Sequence, residues 1–392
     1  MPFPLYLLAL AVFAMGTSEF MLAGLLPDIA SDLDVTVGTA GTLTTAFAIG
    51  MIVGAPLTAG LARSRPGRSS LLGFVLVFSA AHAVGAVTSS FPVLFATRVV
   101  AASANAGFLA VALTTAAALV PSDAKGRALA VLLSGTTVAT VAGVPAGSAL
   151  GTLLGWRATF WAVAALCLPA AVGVFAGVPG RRVRQDAAGG PALRAELARL
   201  KRPRLLLAML LGALVNGATF AGFTFLSPVV TGTAGLGELW VPVALVLFGT
   251  GSFAGVTVAG RLSDRRPGSV VAVGGPLLLV GWPALAVLAD RPAALLTLVF
   301  VQGALSFALG STLITRILYE ASGAPTLAGS CATAALNVGA AAGPLVAATT
   351  LGTRAGDLGP LWASGLLVAV ALLIALPLRG AITAGRSGEA LR

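Results

Sequence analysis

Long apolar runs separated by short polar gaps fill the chain from end to end. The runs are about as long as the ~20 residues with which a helix crosses a bilayer. They are continuous rather than alternating, which argues against a barrel of transmembrane strands. Twelve helices are predicted, over 4–27, 39–61, 70–89, 92–119, 128–153, 157–178, 205–231, 239–261, 269–289, 292–315, 326–351 and 358–378. The fold class is therefore an all-α polytopic membrane protein with twelve transmembrane helices in two six-helix pseudo-repeats.

The repeat is visible in matched punctuation. Gly60 and Arg65 close helix 2, and Gly260 and Arg265 close helix 8, an offset of 200. Gly143, Pro145 and Gly147 lie in helix 5; Gly339, Gly343 and Pro344 lie in helix 11, with the prolines 199 apart. Three parts follow: an N-terminal bundle (1–178), a basic cytoplasmic linker (179–204) and a C-terminal bundle with a short cytoplasmic tail (205–392). The linker reads either as a solvated connector or as a short basic amphipathic helix on the anionic inner leaflet. Two halves of one orientation around a midplane site are a transporter design.

Composition narrows the class further. Of 392 residues, 57% are hydrophobic and 9% charged, whereas soluble domains carry roughly 25% charged residues. Such a chain cannot cover a water-facing surface, and it is too apolar to be disordered. The net charge of +11 would suit nucleic acid, but its position argues otherwise. With the N-terminus cytoplasmic, the inner gaps and tail hold twenty Lys and Arg, and the outer gaps only Arg157, Arg291 and Arg354. This bias sets both termini inside a bacterial inner membrane, with lipid and not nucleic acid as the partner. Met1–Leu10 lacks the basic stretch of a cleaved signal and reads as the start of helix 1. Cys167 and Cys331 lie within apolar runs without metal-ligand spacing and read as small core residues.

Few residues can carry chemistry. Glu19 is the acidic residue placed well inside the hydrocarbon, where a charge costs about 2.5–3.5 kcal/mol on insertion scales. A carboxyl that binds or releases its proton according to the side it faces is a proton carrier; the bland alternative is a neutral, hydrogen-bonded Glu. Arg98 is the basic residue within a span. It needs a carboxylate, carbonyls or water; it either pairs with Glu19 in one protonation state or snorkels to the outer interface. His82 in helix 3 reads more readily as a hydrogen-bonded packing residue than as a relay. In helix 5, Gly135, Gly143, Gly147 and Gly151 share one face and allow close approach of another helix. Pro145 permits bending there. The seam serves either as a contact between the halves that moves or as static packing.

Ligand contacts are expected from Asn105 and Phe108 (helix 4), Asn216, Phe220 and Phe223 (helix 7), Gln302 and Phe307 (helix 10) and Asn337 (helix 11). An apolar pocket with a few polar groups suits a small amphipathic molecule. There is no phosphate loop for ATP drive, no metal-ligand cluster, and no hydrolase elbow or HExxH. A membrane-embedded enzyme would need a nucleophile and base that one His and one Glu do not supply, and charged rings for a channel are missing. No cofactor or metal is expected, and the chain is expected to act as a monomer.

The run GTSEFMLAGLLPDIASDLDV (16–35) resembles the first helix of drug exporters of the major facilitator superfamily. AGTLTTAFAIGMIVGAPLTAGLARSRPGR (40–68), TRVVAASANAGF (97–108), GVPAGSALGTLLGWRATFW (143–161) and ALNVGAAAGPL (335–345) extend the likeness over essentially the whole chain. It is similar to the twelve-helix drug:proton antiporters, and most to actinomycete chloramphenicol-resistance exporters. The resemblance implies that Glu19 couples protons and recognises drug, and that Arg98 takes part in proton transfer. Gly60, Arg65, Gly67 and Arg68 fall on a gating motif between helices 2 and 3. Ser64 stands where the family usually has Asp, while the second half keeps Asp264 beside Arg265, so the inner gate leans on the C-terminal half. Helix 1 lacks the second acid of some multidrug members, which implies a narrower range of neutral substrates. The function implied is proton-coupled efflux of a small antibiotic, chloramphenicol and related phenicols first. Export of sugars or other small metabolites by the same mechanism is the alternative, since sugar exporters share the 16–35 pattern.

Overall fold

Prolines mark where several helices begin. Pro4, Pro92, Pro203 and Pro292 occupy first or second helical positions, where the missing N–H leaves no bond unmade. The computed structural model describes residues 2–63, 66–121, 124–178, 202–263, 267–321 and 328–375. Among them are twelve helices long and apolar enough to cross a membrane. In the first half these are α1 (Phe3–Phe20), α2 (Val37–Arg63), α3 (Gly67–Val87) and α4 (Phe91–Ala118). They continue with α5 (Lys125–Val138, a π turn Ala139–Gly143, then Val144–Leu154) and α6 (Trp156–Gly177). In the second half they are α7 (Pro203–Thr224), α8 (Trp240–Ser263), α9 (Pro267–Val287), α10 (Pro292–Glu320), α11 (Ala328–Leu351) and α12 (Gly359–Ala375).

Three expected spans differ in an instructive way. Helix 1 was expected to run to 27, but α1 stops at Phe20 and passes through a 3-10 turn, Met21–Gly24, into a short helix, Leu26–Asp32. Pro27 has no N–H to continue the ladder, so the backbone tightens before it, with Leu25 N donating to Leu22 O at 2.9 Å. Helix 7, expected to reach 231, ends at Thr224; Phe225 turns just ahead of Pro228, and a π turn follows at Val229–Thr233. Pro27 and Pro228 are 201 residues apart, so both halves break their first helix at the same place. Helix 10, expected to end at 315, runs on to Glu320, and Arg316 bonds Glu320 at 2.7 Å within its last turn.

The chain divides into two compact units. One comprises Met1–Asp186, Leu226–Thr231 and Gly237–Val246; the other Ala187–Phe225, Gly232–Leu236 and Leu247–Arg392. In the first, α1 packs on α5 and α6, α2 on α4, and α3 on α4 and α6. In the second, α7 packs on α11 and α12, and α9 on α10 and α12. The close α2–α4 crossing recurs as α8–α10. A Cβ at Gly50 would collide with the Val99 carbonyl, and one at Gly251 with the Phe300 carbonyl. Each pair is offset by 201. The expected linker lies outside the described residues except for Arg202–Arg204, as does the tail beyond Ala375.

A polar clamp closes one end of the first unit. Asp32 accepts from Arg157 Nη1 and, at 3.3 Å, from Trp156 Nε1. Arg157 Nη2 donates to Thr88 O at 3.0 Å, and its guanidinium stacks 4.4 Å over the Trp156 ring. The extension of α1 is thereby tied to the ends of α3 and α6. Sequence reasoning had counted Arg157 only as an outer basic residue.

Candidate functional site

The break after α1 exposes backbone that Arg98 uses. Ser18 sits in the last turn of α1, where carbonyls run out of helical N–H partners and the helix dipole favours a cation. Arg98, on α4 and 1% exposed, reaches that turn. Its Nη1 donates to Ser18 Oγ at 2.7 Å and its Nη2 to Ser18 O at 2.8 Å. The Phe47 ring of α2 lies 4.6 Å from the guanidinium carbon, a cation–π contact. Arg98 Nε has no hydrogen-bond partner among the described residues. The guanidinium therefore does not snorkel; it is held inside the bundle.

His82 completes the cluster. Its Nε2 is 2.6 Å from Ser18 Oγ and its Nδ1 2.8 Å from Phe78 O. The ring lies between Phe78 and Phe160, with centroids at 4.3 and 5.6 Å. Ser18 and His82 are both almost fully buried. Glu19 follows Ser18 directly, half-buried on the same turn, and Arg98 is the charge that acts on it. Among the described residues the ion pairs are Arg157–Asp32 and Arg316–Glu320, so Glu19 and Arg98 are neighbours without being a salt bridge. Sequence reasoning named Glu19 and Arg98. It missed Ser18 and Phe47, and set His82 apart as packing. Only the i, i+1 neighbourhood of Ser18 and Glu19 could have drawn notice to the serine.

Among the described residues, the second unit places no charged side chain at the positions corresponding to Ser18, Glu19 and Arg98. At the repeat offset of 201, Ser18, Glu19 and Arg98 correspond to Thr219, Phe220 and Val299, all buried. The corresponding helices α7 and α10 thus pack without a buried charge.

The expected ligand residues have several fates. Asn105 and Phe108 are buried, and Asn105 Nδ2 lies 3.6 Å from Met51 Sδ, joining α4 to α2. Asn216 Nδ2 donates to Leu336 O at 2.7 Å, tying α7 to α11. Phe223 and Phe307 are brought together through Phe248, with ring centroids 4.7 and 6.2 Å from it. Phe220 is buried on the same face of α7. Gln302 is fully buried between α9 and α10, its Nε2 3.4 Å from Leu278 O and its Oε1 without a hydrogen-bond partner among the described residues. Asn337 bonds Thr333 O of its own helix at 2.9 Å.

Of the expected gating residues, Arg65, Asp264 and Arg265 lie outside the described residues. Gly60 belongs to the final turns of α2, and Gly67 opens α3 facing Thr115 of α4. The Arg68 guanidinium stacks on Phe175 of α6 at 4.1 Å. In α5, Pro145 lacks the N–H that a regular helix would use; the π turn before it makes room, with Val144 N–H bonding Ala139 O. The glycine face of α5 packs on α1 of its own bundle. Gly135 meets Ala9, Gly143 meets Thr17 and Phe13, and Gly151 meets Leu25, while Gly147 lies between Thr159 and Met21. The seam was expected either between halves or as packing, and its close contacts are within one half. Among the described residues, no three His, Cys, Asp or Glu are grouped to hold a metal.

Residues 8–329 match the Major Facilitator Superfamily. Over 392 residues, the whole of both chains, the protein is 80% identical to a chloramphenicol resistance protein of Streptomyces lividans. It is 34% identical over 354 residues to the inner membrane transport protein YdhP of Escherichia coli (strain K12), covering 89% of this chain and 90% of that one. Its fold matches the crystal structure of a bacterial homologue of the human lysosomal transporter Spinster, inward-facing and unoccupied. That match has a TM-score of 0.72 at 16% identity and covers 97% of this chain and 95% of the other. Twelve spans, a repeated six-helix plan and this likeness over nearly the full length agree: the chain belongs to the major facilitator superfamily of membrane transporters.

Proposed function

We propose that the protein exports chloramphenicol and related phenicols across the bacterial inner membrane in exchange for protons. It acts as a monomer with both termini cytoplasmic and without a cofactor. One observation carries the substrate class: the 80% identity, over the full length of both chains, to a protein named for chloramphenicol resistance. The geometry supports the coupling. Glu19 is half-buried at the end of α1, and a guanidinium fixed on the preceding residue sits beside it. In one state Glu19, deprotonated, helps to form the drug site. Once the site opens outward and drug has left, a proton neutralises Glu19 and permits return. Mutually exclusive binding of drug and proton gives exchange, because each ligand favours the state it binds better.

The test is chloramphenicol accumulation in cells expressing wild type or Glu19→Gln at equal levels, with and without a protonophore. Wild type should lower accumulation, and the mutation and the protonophore should each abolish the effect. No effect of wild type would overturn the phenicol assignment. Uphill export by Glu19→Gln would overturn Glu19 as the coupling residue.

A further inference from the structure

Phe78 O can only accept a hydrogen bond, so His82 Nδ1, 2.8 Å away, carries a proton. Two arrangements then remain for Nε2, 2.6 Å from Ser18 Oγ. If Nε2 were also protonated, an imidazolium would lie one hydroxyl away from the Arg98 guanidinium, with both groups about 1% exposed. Two like charges in a buried site without a carboxylate on either are strongly disfavoured. If Nε2 is bare, Ser18 donates to it, and the serine lone pairs are left facing Arg98 Nη1. Every bond then runs in one direction: Arg98 to Ser18, Ser18 to His82, His82 to the backbone of α3.

The orientation has a consequence at Glu19. A serine hydroxyl without a second partner can instead rotate to bond a carbonyl of the preceding turn, as Thr17 Oγ1 bonds Phe13 O. Fixed by His82, it presents lone pairs only, and with the Ser18 carbonyl it offers the guanidinium two acceptors on one residue. Arg98 is thereby occupied beside Glu19 instead of on it. We propose that His82, acting through the Ser18 hydroxyl, is a positioning residue for proton coupling, holding the Arg98 guanidinium on the end of α1 and off the Glu19 carboxylate. The inference rests on the coupling role of Glu19 and Arg98 proposed above. The second unit supports a functional origin for the cluster, because it packs the corresponding helices with Thr219, Phe220 and Val299 at these places. The ionisable groups around His82 are Arg98 from α4 and, through it, Glu19 from α1; α6 presents the Phe160 ring.

His82 is the sole histidine of the chain. Protein grown on 15N-labelled histidine and purified without a histidine tag therefore gives the NMR signals of one imidazole. The expected spectrum is a neutral ring protonated on Nδ1 with Nε2 accepting, unchanged across the pH range of exchange. In Ser18→Ala the Nε2 signal should move to that of an unbonded nitrogen. A ring protonated on Nε2, or a charged ring at neutral pH, overturns the proposal without any variant having to fold.

The second arm is the pH profile of chloramphenicol–proton exchange in proteoliposomes. His82→Gln keeps an acceptor for Ser18 and should keep the wild-type profile. His82→Leu removes it, frees Arg98 to move onto Glu19, and should displace the profile toward acid by about one pH unit or more, the size expected of a new ion pair. A wild-type profile in His82→Leu overturns the proposal, and so does a His82→Gln variant as impaired as His82→Leu, since the ring itself would then carry the proton. Exchange that persists in Glu19→Gln would bring down the coupling reading and this role with it, whereas loss in Glu19→Gln with an unshifted His82→Leu sinks the positioning role alone.

Discussion

Arg98 places two of its nitrogens on a single residue, Ser18, one on the hydroxyl at 2.7 Å and one on the carbonyl at 2.8 Å. A planar guanidinium spans two oxygens at once, whereas an ammonium is a point charge that cannot reproduce the fork. Hydrogen bonds to a charged group are worth about 1.5–3 kcal/mol each, so Arg98→Lys should lower chloramphenicol export about tenfold or more. Arg98→Met removes the buried cation, the half-buried Glu19 beside it can take up a proton, and apolar replacement of a buried ion is often neutral for folding. Arg98→Met should therefore abolish uphill export while the melting midpoint of the purified protein stays near wild type. Retained export in Arg98→Met would show that the guanidinium is structural.

Charge balance gives a second expectation. Chloramphenicol is neutral, so its exchange for one proton moves one net charge. Each 100 mV of membrane potential then contributes about 2.3 kcal/mol. In proteoliposomes, collapsing the potential with valinomycin and potassium should reduce the steady-state drug gradient, as should collapsing the pH gradient with nigericin. Both together should remove it. A gradient indifferent to valinomycin would exclude one-for-one exchange.

Most of the fold was legible because a membrane helix announces itself by a run of apolar residues, whatever its neighbours. The ends were less so. Helices 1 and 7 stop short because of Pro27 and Pro228, yet the apolar run continues through both breaks. The candidate site was half legible. Glu19 and Arg98 stood out as charges in hydrocarbon, which is a local property. Ser18, His82 and Phe47 matter through positions on three helices that each pack on α4, and no spacing along one helix encodes that. Gln302 shows the same limit. Its polarity is visible in the sequence, whereas its full burial between α9 and α10 is set by how those helices pack.

The approach of α5 to α1 can be tested at one pair. A Cβ at Gly143 would fall onto Thr17 Oγ1 and come 3.0 Å from the Phe13 ring. Thr17 Oγ1 is held by the Phe13 carbonyl at 2.8 Å, so it cannot easily swing away. Overpacking of this kind costs typically about 1–3 kcal/mol. Gly143→Ala should lower the thermal midpoint and the export rate, and Thr17→Ala in the same chain should restore part of both. Thr17→Ala alone should cost less than Gly143→Ala. A double variant no better than Gly143→Ala would place the fault in the bend at the π turn rather than in this contact.

Outside the spans, Asp28 offers a test of electrostatics with a defined sign. Burial first, and the Glu238 carboxylate second, push the Asp28 carboxyl above the usual carboxylate range. A carboxyl whose folded pKa is raised binds its proton more tightly in the folded state. Its stabilising contribution is present below the unfolded pKa and is lost as pH rises through the folded value. Asp28→Asn should therefore raise the melting midpoint in detergent at neutral pH and leave it unchanged at a pH below the ordinary Asp value. Glu238→Gln removes only the second cause, so it should recover less than Asp28→Asn through Asp28. Subtracting each variant's pH series from that of wild type cancels the titration of the other carboxylates. A midpoint that falls in Asp28→Asn at neutral pH, with the loss vanishing toward acid, would mean that Asp28 is stabilised in its charged form and that the environment assigned to it is wrong.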